Sequence, residues 1–232
     1  MKYQFYLCFF AFVLFAGISF SQTISPGGQN SSPSPTRFEK EINDFLRLDS
    51  VLFPPAGAWL FTGSSTIRKW DNLKTDFNEI TLIQRGFGGS TMNDLVFYTD
   101  KIVIPYKPGK IIVYEGDNDL ANGTSPDEFI SQCDTFIKRV HKELPRTKIY
   151  FISIKPSPSR LQYQLAQDEA NRELKKLVRK SRKTGFIDIR PLMYDPEGKI
   201  RQDFFESDSL HITNECYRKW AGYMKEKMHI AK

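Results

Sequence analysis

The stretch KIIVYEGDNDLANGTSPDEFISQCDTFIKRVHKELPRTKIYFISI, residues 110–154, decides the fold class of this chain. It opens with a short apolar, β-branched run and closes with another at Lys148–Ile154. Between them, the sequence SPDE at 125–128 indicates a helix start, because it is a capping box with proline at the first helical position. The predicted helix has one apolar face, formed by Phe129, Cys133, Phe136, Ile137, Val140 and Leu144. Strand, helix and strand make a βαβ unit with parallel strands.

The same alternation extends along the chain. Strand-like runs occur at Ala58–Thr62, Ile80–Gln84, Lys110–Tyr114, Lys148–Ile154 and Phe186–Ile189. Helical periodicity follows a capping box at 36–39 and recurs at 161–183 and 213–228. We therefore predict a single α/β domain over residues 36–232, with three α/β/α layers around a five-stranded, mostly parallel sheet.

The N-terminal 35 residues have a different composition. Residues 1–21 combine a lysine at position 2, an apolar run and small residues near Ser21, which is typical of a secretory signal peptide. A retained signal anchor is the alternative, although the run is short for a membrane span. Residues 22–35 are rich in Ser, Pro and Gly and are predicted to be a disordered linker. The protein is expected to be secreted or periplasmic, with no stable membrane insertion once the signal is removed.

Charge and cysteine content narrow the class of protein. The net charge of +6 is spread along the chain, and no Lys/Arg block alternates with aromatic residues, so a nucleic-acid partner is not expected. Cys133 and Cys216 could pair in an exported protein. Each falls on the apolar face of a predicted helix, which favours buried free thiols.

In a parallel sheet, ligands bind at the carboxyl ends of the strands, so the residues just after each strand are the candidates for function. Gly63-Ser64-Ser65 follows the first strand. A sharp turn at the glycine can expose a serine hydroxyl beside free backbone N–H groups, as a nucleophile requires. The alternative is a simple helix cap, since serine is a preferred N-cap residue.

The next two strand ends are rich in backbone or amide donors. The loop at 85–91 (RGFGGST) lacks the lysine of a P-loop and the third glycine of a dinucleotide fingerprint, but its glycines allow close approach of the backbone to a ligand. At 115–119 (EGDND), Asn118 can donate an N–H group to an oxyanion. A polar turn is the alternative for this segment.

Of the three histidines, His141 lies near a helix end and His229 near the chain end. Only His211 lies in a loop just before a predicted helix. Asp208, three residues earlier, can accept a hydrogen bond from its ring. No cluster of His and Cys has the spacing of a metal site, so metal catalysis is not expected.

In this order, the four segments resemble those of the SGNH (GDSL-like) hydrolases, over about residues 58–228. The resemblance implies a flavodoxin-like SGNH fold and an ester hydrolase with Ser65 as nucleophile. It also implies Asp208 and His211 as the other catalytic residues, and an oxyanion hole formed by the N–H groups of Ser65 and Gly89 and the amide of Asn118. The mechanism that the resemblance implies needs no metal or other cofactor. The family has Asp where this chain has Ser64, which leaves open which serine attacks; the register favours Ser65.

The resemblance says less about the substrate. Export and a polar surface favour short acyl groups on a carbohydrate or another extracellular ester, so the expected partner is a small-molecule or glycan ester. Two alternatives remain open, an acyltransferase that uses the same acyl-enzyme and a non-catalytic ligand-binding module. Arg160 is a candidate substrate contact or a solvated loop residue, and Trp70 with Phe204-Phe205 is a candidate pocket lining or core.

Overall fold

The computed structural model describes Met1 and residues 34–230. The predicted signal peptide, and the predicted linker up to residue 33, lie outside the described residues and stay predictions. The strands are β1 (Trp59–Gly63), β2 (Leu82–Gly86), β3 (Lys110–Tyr114), β4 (Lys148–Ile152) and β5 (Thr184–Ile187). The α-helices are α1 (Glu39–Val51), α2 (Ser65–Arg68), α3 (Leu73–Asp76), α4 (Met92–Ile102), α5 (Asp117–Ala121), α6 (Pro126–Glu143), α7 (Gln164–Val178) and α8 (Asn214–Met228).

The five strands form one sheet in the order β2-β1-β3-β4-β5, and every neighbouring pair is parallel. The predicted fold class is therefore confirmed. In the register of the sheet, Gly63 at the end of β1 lies opposite Gly86 of β2 and Tyr114 of β3. Because these three strands end at one level, the segments that follow them meet at the same edge of the sheet.

The sheet separates two apolar cores. Side chains alternate along a strand, so Leu60 of β1 belongs to one core and Phe61 to the other. Cys133 on α6 is buried in the first core and Cys216 on α8 in the second. Both thiols are free, as predicted, because the sheet lies between them. No helix within residues 34–230 is both long enough and apolar enough to cross a bilayer.

The predicted apolar face of α6 is confirmed. Phe129, Cys133, Phe136 and Val140 are buried, and the Ser125 side chain accepts a hydrogen bond from Glu128 N at 3.2 Å. The helix is thus capped and packed as its sequence dictates, which fixes the crossover from β3 to β4.

Several predicted boundaries are wrong by a few residues. Thr36 does not cap the first helix: Ser34 accepts a hydrogen bond from Thr36 N, and a 3₁₀ turn at Pro35–Phe38 precedes α1. The helix predicted over 161–183 begins at Gln164, since a proline-led 3₁₀ turn occupies Pro158–Tyr163. It ends at Val178, after which a run of Arg, Lys and Ser carries no apolar side chain to bury.

Candidate active site

The first element of the site is the turn from β1 into α2. Gly63 has a φ of +122°, and a Cβ at this position would lie 2.1 Å from the Tyr114 carbonyl oxygen of β3. Only glycine tolerates both conditions, because other residues disfavour this backbone region and would clash. The turn places Ser65 at the first position of α2, with its side chain partly exposed, while Ser64 before it is buried.

The loop before α8 brings a histidine to this serine across the sheet edge. His211 Nε2 lies 3.0 Å from Ser65 Oγ, and His211 Nδ1 lies 2.5 Å from Asp208 Oδ2. The three side chains predicted as catalytic therefore form one continuous chain of hydrogen bonds. Asp208 also stabilises the loop that carries His211, because its Oδ1 accepts hydrogen bonds from the backbone N–H groups of Leu210 and His211 at 3.0 and 2.9 Å.

The charge on Asp208 is stabilised by these contacts. Partial burial opposes the charged carboxylate, but the hydrogen bonds from the His211 ring and from the two backbone N–H groups outweigh it. They hold the pKa of Asp208 well below its ordinary range. The aspartate is consequently ionised wherever the protein is folded at ordinary pH, and it can stabilise a positive charge on the imidazole ring.

The second element is the glycine-rich turn after β2. Gly89 is exposed with a φ of +82°, and nothing lies within 4 Å of a Cβ built on it, so backbone conformation requires the glycine here. Asn118 Nδ2 donates to the Ser90 carbonyl oxygen at 3.0 Å, which ties the third strand end to this turn. A primary amide has two N–H groups, and the second remains available to a ligand.

Two buried acids beneath this pair of loops were not predicted as functional residues. Asp119 accepts hydrogen bonds from Met92 N at 2.8 Å and Gly116 N at 2.9 Å, which joins the start of α4 to the end of β3. Glu115 accepts a hydrogen bond from Ser90 Oγ at 2.6 Å. The sequence EGDND at 115–119 could have predicted this bridging role, because two acids at a buried strand end need hydrogen-bond partners.

Burial sets the protonation of these acids. It raises the pKa of Asp119 to about 7, although backbone hydrogen bonds from Met92 and Gly116 oppose the shift. Burial and the nearby Asp119 charge raise the pKa of Glu115 well above its ordinary value. The two carboxyls therefore resist being charged together, since like charges in a buried site disfavour ionisation.

Asp117, the residue before Asn118, takes part in a buried ion pair. Lys155, which follows β4 and is 1% exposed, places its Nζ 2.9 Å from Asp117 Oδ2 and 3.3 Å from the Tyr114 hydroxyl. Burial alone would lower the pKa of Lys155, but Asp117 and the Tyr114 hydroxyl raise it above its ordinary value. The pair fixes the first residue of α5, next to Asn118. Nothing in the strand pattern of the sequence marked Lys155 for this role.

The remaining candidate residues are not part of the triad. Trp70, Phe204 and Phe205 are buried in the core beside α8, so they do not line a pocket. His141 contacts the Thr147 carbonyl oxygen at 3.1 Å, and His229 follows the end of α8. Within residues 34–230, no three His, Cys, Asp or Glu side chains are placed to hold a metal ion.

A parallel sheet of this topology, with a hydroxyl, an imidazole and a carboxylate in line at its carboxyl edge, is the arrangement of the SGNH class of hydrolases. The model of the GDSL-like Lipase/Acylhydrolase family matches residues 56–219, and the chain belongs to this family. It is therefore a carboxylic ester hydrolase. The comparison with curated protein sequences finds no match.

Solved structures with the same fold come from several bacteria. A protein from Streptococcus pneumoniae, provisionally assigned as a platelet activating factor, has 21% identity and a TM-score of 0.72 over 82% of this chain and 92% of its own. A GDSL-like lipase from Bacteroides thetaiotaomicron has 19% identity and a TM-score of 0.68, covering 81% and 97%. An acetylxylan esterase from Geobacillus stearothermophilus, solved as a catalytic mutant, has 14% identity and a TM-score of 0.62, covering 76% and 96%.

Proposed function

We propose that this protein is an exported serine esterase that hydrolyses short acyl esters through Ser65, His211 and Asp208. The observation that carries the proposal is the 3.0 Å contact between His211 Nε2 and Ser65 Oγ, with Asp208 on the other ring nitrogen. This is the geometry in which a neutral imidazole accepts the proton of an attacking hydroxyl.

The reaction proceeds in two acyl-transfer steps. Ser65 Oγ attacks the ester carbonyl as its proton passes to His211 Nε2, and the imidazolium is stabilised by Asp208. The tetrahedral oxyanion is bound by the N–H groups of Ser65 and Gly89 and by the Asn118 amide. His211 then protonates the leaving alkoxide, the alcohol departs and an acyl-Ser65 ester remains. Water, deprotonated by His211, releases the acid and regenerates Ser65.

The two adjacent serines differ in their contacts. Ser65 has the hydrogen bond to His211, whereas Ser64 is 2% exposed and donates its backbone N–H to the Tyr114 carbonyl oxygen at 3.0 Å. A buried side chain cannot reach an ester carbonyl without rearrangement of the turn. These contacts support Ser65 as the nucleophile.

The substrate class we infer is a short acyl ester of a carbohydrate. Acetylxylan esterase among the structures of the same fold supports this choice, although at 14% identity. An open cavity of about 720 Å³ is also present, lined in part by Pro158 in the loop after β4 and by Tyr194 and Gln202. Its volume is within the range of small-molecule sites, with an aromatic ring and polar groups of the kind that contact sugars.

The proposal is tested by release of p-nitrophenol from its acetate and octanoate esters, using the full chain and two serine variants. We expect Ser65→Ala to lose at least about 10³-fold in kcat, and Ser64→Ala, the matched control, to stay within about ten-fold of the wild type. Acetate should be preferred over octanoate. The opposite order of the two serine variants, or a folded wild type without activity on any short acyl ester, would overturn the proposal.

Export is tested separately by expressing the full chain in a bacterial host and recovering the protein from the periplasm and medium. N-terminal sequencing should find a mature chain that begins at Gln22, because the small residues before it suit signal peptidase. An intact Met1 on protein held in the membrane would instead indicate a retained anchor.

A further inference from the structure

The loop after β4 is attached to the histidine loop. Ser159 N donates to the Ser209 carbonyl oxygen at 3.1 Å, two residues before His211. Ser209 itself has a φ of +56°, a conformation that a residue other than glycine rarely adopts. The two loops therefore lie side by side at the carboxyl edge of the sheet, where the triad is. Arg160 is the residue that follows Ser159 in the first of them.

Arg160 lies in a cluster with an unbalanced charge. Asp117 faces two cations: Lys155 Nζ at 2.9 Å from one carboxylate oxygen and Arg160 Nε at 3.7 Å from the other. Gln167 Nε2, also near Asp117 at 3.4 Å, is neutral. One carboxylate between two cations leaves a net charge of one positive unit in this cluster.

The donors of the cluster are not all used. Arg160 Nε and Ser157 Oγ are buried without a hydrogen-bond partner, and Ser157 is 1% exposed. By contrast, the Arg190 guanidinium donates to both Asp188 and Asp168. Buried donors normally have partners, so a pair left unsatisfied needs an explanation. Arg160 Nε is buried beside Asp117, but the side chain as a whole is 24% exposed, and an incoming group can reach its exposed part.

The position of these two loops indicates which part of the substrate Arg160 would contact. His211 delivers a proton to the leaving oxygen, so the alcohol departs on the histidine side of the ester. The loop that carries Arg160 is on that side through the Ser159–Ser209 hydrogen bond. Pro158, two residues before Arg160, also lines the 720 Å³ cavity, so this loop has an open side.

We propose that Arg160 binds a carboxylate on the alcohol part of the substrate, so that the natural ester is that of an acidic sugar or a similar hydroxy acid. This inference rests on the proposed function. A planar guanidinium matches a carboxylate in shape, and the single uncompensated positive charge matches a monoanion.

The test compares pairs of aryl acetates that differ in one charge: 3- and 4-carboxyphenyl acetate against the neutral 3- and 4-carbamoylphenyl acetates. For each pair, kcat/KM is measured with the wild type, Arg160→Gln, Arg160→Lys and Arg146→Gln. The control Arg146 is exposed, in the loop before β4 at the opposite edge of the sheet, so its substitution removes the same charge far from the site. 4-Sulfophenyl acetate distinguishes a carboxylate site from one that accepts any monoanion.

In Arg160→Gln, we expect the ratio of kcat/KM for the charged ester to that for the neutral ester to fall about ten-fold or more, mostly through KM. Arg160→Lys should recover part of the ratio, and Arg146→Gln should leave it unchanged. A merely structural role for Arg160 lowers both kcat/KM values together and leaves the ratio as it was, which overturns the inference. If the folded wild type hydrolyses neither the charged nor the neutral ester, the proposed esterase function is wrong, and the inference about Arg160 is overturned with it.

Discussion

Asp208 shows how one side chain can fix the tautomer of its neighbour. Its Oδ1 is occupied by two backbone N–H groups, so Oδ2 alone faces His211 Nδ1. In Asp208→Asn, the amide nitrogen would take the place of Oδ2 and donate to Nδ1, which moves the ring proton to Nε2. The imidazole can then no longer accept the proton of Ser65.

We expect Asp208→Asn to fold normally and to lose about 10³–10⁴-fold in kcat, measured from pH 5 to pH 9 with p-nitrophenyl acetate. Asp44→Asn removes an equal charge from an exposed ion pair with Lys40 on α1 and serves as the control. Because the pKa of Asp208 is depressed, its stabilising contacts are lost only as pH falls through that low value, so an acid limb above pH 5 does not come from this carboxyl. Activity within ten-fold of the wild type would exclude Asp208 from the triad.

Asn118 is the side-chain donor of the proposed oxyanion hole. Asn118→Ala should lower kcat by about 10²–10³-fold with little change in KM, because the oxyanion forms only in the transition state. Asn122→Ala, at the exposed end of the same short helix, should leave kcat within about two-fold. A rise in KM at constant kcat would instead show that Asn118 binds the ground-state ester.

At the scale of elements, Asp119 and Glu115 hold the three strand ends together. Asp119 bridges the start of α4 and Gly116, and Glu115 binds Ser90, whose carbonyl oxygen orients Asn118. For an acid whose folded pKa is raised, the folded state binds more protons than the unfolded state. Its contribution to stability is therefore lost as pH rises from the unfolded pKa, about 4, through the folded pKa, which for Asp119 is about 7.

Glu115→Gln tests this linkage, because glutamine resembles the protonated acid and removes its titration. Between pH 5 and pH 8, the free energy of unfolding should decrease less in the variant than in the wild type, because the raised pKa of Glu115 no longer contributes. Urea denaturation at both pH values measures it, and Glu197→Gln on the exposed turn before Gly198 is the control. An identical pH dependence in wild type and Glu115→Gln would mean that Glu115 keeps an ordinary pKa.

The sequence was sufficient for some elements and not for others. Short apolar, β-branched or aromatic runs identified every strand, and their alternation with helices such as the capped α6 identified the parallel sheet. Strand β5 was placed two residues late, because it begins with Thr184-Gly185, which has little strand character. The residues that meet at Ser65 were found through motif order. The Lys155–Asp117 pair was not, because ion pairs between strand ends depend on sheet order, and no local pattern encodes that order.

At the scale of the whole molecule, stability and chemistry are located in different parts. The core between the sheet and α6 contains Phe136, which is fully buried with its ring centroid 6.4 Å from that of Phe151 on β4. The site lies instead at the ends of the strands. A cavity made in that core should therefore weaken the fold without altering the catalytic geometry.

We expect Phe136→Ala to lower the free energy of unfolding by about 3–5 kcal/mol, because it removes a buried aromatic ring and leaves a cavity. Phe97→Ala, on the outer face of α4 where the ring is 49% exposed, should cost less than about 1 kcal/mol. Urea denaturation measures both, and active-site titration gives kcat per folded molecule, which should stay within two-fold of the wild type in each. If Phe136→Ala lowered kcat as strongly as stability, the strand-end loops would depend on this core for their catalytic geometry, and the separation proposed here would be wrong.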